Sequence, residues 1–188
     1  MAVFVFGALL VGPADANQLS NEKELQGIPM EQREFARYLQ SMRDDHGFEA
    51  FTITSFGQGG FDMAITQFRK PGQEVTDAPK YTAAIQTIEK QPQLVFRIFA
   101  PCVEDTQIRD VAFRVDGQKV AGYALCRRNT KGQGYVETFF TKSKSAVDFV
   151  RARFASKDHV YVEFDRMPIA FATTRFTTYW DKEAEPAM

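Results

Sequence analysis

Phe35, Tyr38, Leu39 and Met42 recur at i, i+3, i+4 and i+7 within 31–45. That spacing predicts an amphipathic helix with one apolar stripe, stopped by Gly47. The segments 48–55 and 61–68 are strand-like and read as two strands joined by the loop Phe56-Gly57-Gln58-Gly59-Gly60. Tyr81, Ala84, Ile85 and Ile88 return to helical spacing, with Asp77 and Pro79 as start signals and Pro92 as the stop. The same stretch, TAAIQTI, also reads as a strand. From 94 onward the pattern is that of a β meander. Runs at 94–100, 110–115, 118–125 and 135–140 are separated by turn residues, and Asp116-Gly117 is a strong hairpin signal. Ser145 to Asp148 has the spacing of a helix capping box, followed by a stripe of Ala146, Val147, Val150 and Phe154. A strand at 159–164 turns Val160, Val162 and Phe164 inward and His159, Tyr161 and Glu163 outward; 169–176 reads as the last strand.

These elements predict an α+β fold: an antiparallel β-sandwich or strongly bent sheet with two or three short packed helices. The expected boundaries are a signal peptide at 1–16, a polar arm at 17–30, one domain at 31–180 and a polar tail at 181–188. The leader rests on the uncharged apolar run 2–12 followed by Ala14-Asp15-Ala16. The run is shorter than the roughly 20 residues needed to span a bilayer, and no later run approaches that length, so no span is expected in the mature chain.

Composition sharpens this picture in two respects. Phenylalanine stands at 18 residues against one Trp and two His, which suits a β-rich core. Basic and acidic residues nearly balance, at 23 and 24. Such a chain has no electrostatic footprint for nucleic acid.

The two cysteines, Cys102 and Cys126, are expected to form a disulfide in an exported chain. His46 and His159 lack any local nucleophile or metal-ligand spacing, so no catalytic residue, metal or cofactor is assigned. The Gly57–Gly60 cluster lacks the following helix that a phosphate loop requires, and it reads as a turn. Asp44-Asp45-His46 reads as a solvated helix end. A basic turn of Arg127, Arg128 and Lys131, with Lys119 nearby, is a candidate anion-binding surface. Outward Tyr161 and the pair Tyr179-Trp180 are candidate aromatic contacts.

The order of features in 94–180 resembles small exported β-sandwich proteins of the invasion-associated locus B type and VasI-type accessory proteins of type VI secretion. It runs from a strand into Asp116-Gly117, a strand closed by Cys126, the helix SAVDFVRARF, then HVYVEF and IAFATTRF. The likeness is one of layout over about half the chain. Those families carry additional cysteines and another final-strand signature, so the resemblance transfers no functional residue. It implies a non-enzymatic envelope protein. The expected function is therefore that of a soluble periplasmic or secreted bacterial protein binding another envelope protein or component. The rivals are a periplasmic hydrolase with an uncommon site and an inhibitor of an extracellular enzyme.

Overall fold

The computed structural model describes residues 30–184 apart from Phe61, Thr106, Lys131, Asp165 and Arg166. The leader at 1–16 and all of the arm except Met30 lie outside the described residues. Helix α1 (Met30–Asp44) buries Tyr38, Leu39 and Met42 of the stripe its periodicity predicts, and Phe35, the first of that stripe, is half-buried. Gly47 ends it at φ +68°, with its N–H donating to the Arg43 carbonyl at 3.0 Å. That left-handed cap costs a residue without Cβ little.

Among the described residues nine strands follow: β1 (Ala50–Thr54), β2 (Met63–Arg69), β3 (Lys80–Ile88), β4 (Gln91–Phe99), β5 (Arg109–Val115), β6 (Gln118–Arg128), β7 (Tyr135–Thr141), β8 (His159–Glu163) and β9 (Pro168–Ala172). Helix α2 (Lys144–Ser156) lies between β7 and β8, and α3 (Phe176–Ala184) closes the chain. All pairings are antiparallel, in the order β1-β2-β3-β4-β7-β6-β5-β8-β9. The sheet bends until β9 packs against β1 and β2, where the buried Thr66 hydroxyl donates to the Ala170 carbonyl. The result is a nearly closed, barrel-like α+β fold. Strand β4 neighbours β7 rather than β5, so the 100–108 connection must cross the end of the sheet in Greek-key fashion.

Phenylalanines fill the inside of this curl. Phe96 on β4 packs its ring within 5.5–6.0 Å of Phe113, Phe154, Phe164 and Phe171, counted between centroids. Phe113, Val160 and Val162 are buried as their alternation predicts, whereas Phe164, just past β8, is half-buried. Helices α2 and α3 bring Val147, Val150, Phe154, Phe176 and Trp180 onto the same core.

Three local expectations change. The segment with helical spacing at 81–88 is strand β3, held by β2 on one side and β4 on the other. Its residues Thr82, Ala83, Ala84 and Ile85 are buried consecutively. Burial on both faces erases the alternation that marks a strand. At the other end, the strand at 169–176 stops at Ala172. Arg175 turns the chain at φ +66°, and α3 begins at Phe176 with Phe176 and Trp180 facing inward four residues apart. It runs on to Ala184, into the segment read as a polar tail; 185–188 lie outside the described residues. The cap of α2 is Ser143 rather than Ser145, its hydroxyl accepting the Ala146 N–H.

The Asp116-Gly117 signal forms the β5–β6 turn, both residues at positive φ. Asp116 also docks that turn on β8. Its N–H donates to the Tyr161 carbonyl, its carboxylate accepts the Tyr161 N–H at 3.1 Å, and Lys157 Nζ lies 2.7 Å away. Asp116→Ala should therefore lower stability by about 1–3 kcal/mol in urea titration. Asp116→Asn, which keeps the left-handed preference and an acceptor oxygen, should lose less. An equal loss in both variants would place the effect in the charge alone.

Candidate binding surface

The long β4–β5 connection is pinned where it crosses β6. Cys102 is disulfide-bonded to Cys126, with Cα atoms 6.2 Å apart, inside the usual range for a disulfide. Three residues on, the Asp105 carboxylate accepts the Cys126 N–H and the Arg109 Nε–H, each at 2.9 Å. The Asp105 N–H donates back to the Cys126 carbonyl. Arg109 also reaches Glu137 at 2.7 Å. The Arg109 guanidinium and the Cys126 amide hold the Asp105 carboxyl below the ordinary carboxylate range. A loop fastened by a covalent bond and a charged network holds its shape without a core of its own.

This pinned end displays apolar side chains to water. Val103, next to the disulfide, is 87% exposed, and Ile108 and Tyr135 are exposed as well. Exposed Arg127 and Arg128 end β6 just after Cys126, and Arg128 stands opposite Tyr135 in the β6–β7 register. An apolar tip beside two cations suits a partner with an apolar contact and an acidic rim. The sequence reading found the arginines and the cysteines but passed over Val103, Ile108 and Tyr135. Two aliphatic residues in the otherwise polar stretch 102–109 were the available signal.

The other sequence candidates separate. Lys131 lies outside the described residues. Lys119 pairs near the opposite end of β6 and leaves the basic cluster. Trp180 is 4% exposed, packed on Phe176 with the Arg151 guanidinium over its ring. Tyr179 is half-buried and its phenol covers Gly57, where any Cβ would overlap it. Tyr161 is half-buried, edge-on to Tyr38 of α1 at 5.0 Å, and burial pushes its hydroxyl up to about 12. Trp180 is thus a core residue, while Tyr161 and Tyr179 pack with part of each side chain still exposed.

His159 stacks on Phe35 of α1, with centroids 4.0 Å apart. Burial lowers its affinity for a proton, opposed by Asp158. The folded protein thus favours the neutral ring. As pH falls below about 6.5, the unfolded chain takes up a proton first, so stability falls with acidification. Urea titrations at pH 7.5 and 5.5 should show a smaller acid loss in His159→Gln than in wild type. Equal losses would move the acid sensitivity to other groups.

Among the described residues, no group of three or more His, Cys, Asp or Glu side chains is placed to hold a metal ion. No protein-family model matches the chain, and neither a curated protein nor a solved structure matches it.

Proposed function

We propose that this is an exported, non-catalytic protein that binds another envelope protein or component through its disulfide-pinned end. The observation that carries the reading is Val103, almost fully exposed on a loop held by Cys102–Cys126 and the Asp105–Arg109–Glu137 network. Leaving an aliphatic side chain in water on an immobilised loop has no benefit to the fold, and a partner that covers it gains buried area. The disulfide agrees with an oxidising compartment. Among the described residues no helix is long and apolar enough to cross a membrane. The resemblance in layout of 94–180 to exported β-sandwich proteins supports the same reading.

The test is capture from bacterial envelope extract by the immobilised protein, with variants as the control. Val103→Asp and the double change Arg127→Glu, Arg128→Glu should each remove a specific partner. Lys182→Glu on α3 should retain it. A partner that survives both loop-end variants would overturn the assignment of this surface. The pinned loop also supports the inhibitor reading, since an inhibitor presents a fixed side chain rather than a pocket; inhibition of the captured partner, lost in Val103→Asp, would select it.

A further inference from the structure

A second feature lies on the outward face of the sheet, centred on β4. Side chains alternate across β4: Leu94 and Phe96 join the core, whereas Val95 and Arg97 face outward. In the registers of β3, β4, β7 and β6, Thr82, Arg97, Thr138 and Leu125 stand in one row. Arg97 is half-buried in the middle of that row, yet among the described residues no hydrogen bond, ion pair or ring contact holds its guanidinium. Thr82 beside it is 1% exposed, and its hydroxyl is buried without a hydrogen-bond partner. Burial also lowers the proton affinity of Arg97, since nothing nearby compensates its charge.

Both observations are costs to the free protein. A buried hydroxyl without a partner and a desolvated guanidinium without a counter-charge each forfeit interactions that water would supply. They sit side by side, and one oxyanion satisfies both. The surrounding charges favour that occupant. Lys80 and Arg127 lie in the next outward row, and the neighbouring acid on the other side, Asp110 at the β5 end, is ion-paired to Lys142 at 2.7 Å. The planar fork of arginine matches a carboxylate at two oxygens. The partly exposed apolar side chains around Arg97 are Phe140 on β7 and, at the two ends of the row, Leu125 and Ile65; Val95, opposite Phe140, is buried.

We infer that this outward face binds a small organic carboxylate, its oxygens on Arg97 between Thr138 and Thr82 and its hydrocarbon on Phe140 and Leu125. Thr82 is closed off in the free protein, with Arg97 and Ile65 as its row neighbours, so binding draws the guanidinium outward and opens the hydroxyl to the ligand.

Decanoate is the probe, titrated into the folded protein while the Arg97 Nε–H resonance is followed. A saturable shift is expected with decanoate and none with decanol or inorganic phosphate at the same concentrations. Arg97→Gln should abolish the binding. Arg97→Lys, which keeps the charge but loses the fork, should weaken it at least about fivefold. Thr82→Val should raise the melting temperature of the free protein and weaken decanoate about tenfold. A purely structural threonine would not couple those two effects. No saturable shift with decanoate, an equal shift with decanol or phosphate, or wild-type affinity in Thr82→Val would each overturn the proposal.

Discussion

Phe96→Ala is expected to reduce the unfolding free energy by about 3–5 kcal/mol, measured by urea titration. The side chain is fully buried. Its four aromatic neighbours come from β5, α2, the end of β8 and β9. Those rings are held by different elements, so they cannot all relax into the vacated space, and the cavity persists. Phe99→Ala is the matched control. That ring lies on the outward face near the end of β4, half-buried beneath the Lys80 ammonium. Its loss should cost well under half as much, because no enclosed cavity forms. A loss below about 1 kcal/mol for Phe96→Ala would mean the core is centred elsewhere.

Replacing both Cys102 and Cys126 by serine should lower stability by about 2–4 kcal/mol, with reduction of the wild-type protein giving a similar loss. The bond closes a loop of 24 positions. In the chain-entropy account, its loss frees the unfolded chain while the native contacts of β5 and β6 remain. The variant should also lose partner capture at the pinned end, since Asp105 and Arg109 alone would have to hold the connection. Those two charges are solvent-exposed in part, and such pairs contribute little by themselves. A double variant as stable as wild type would mean that the network suffices.

The parts of this fold set by neighbours in sequence were legible before the structure. Helix α1 could be read because its buried stripe and its Gly47 stop lie within one segment. The β5–β6 hairpin could be read because Asp116-Gly117 carries its own backbone preference. The cysteine pairing followed from there being two cysteines. Strand β3 was ambiguous, because a strand buried on both faces has no period-two pattern to set against an accidental helical one. Helix α3 was hidden because its Phe176 and Trp180 anchors follow directly on the strand-like run of β9.

The candidate surfaces divide along the same line. Composition and local motifs determined that the chain is a Phe-rich α+β domain with a disulfide and without the spacing of a known catalytic or metal site. Only the tertiary structure decided which exposed groups stand together. Cys102 and Asp105 meet Cys126 because the β4–β5 connection crosses the sheet end. Arg97 stands between Thr82 and Thr138 because β7, not β5, pairs with β4. Trp180 is buried, and Tyr161 and Tyr179 half-buried, because the core, α1 and the Gly57 turn reach them. Sequence spacing specifies which face of its own element a side chain occupies. What lies across from that face is set by strand order and by how the sheet bends, and these depend on the burial of all the strands and helices at once.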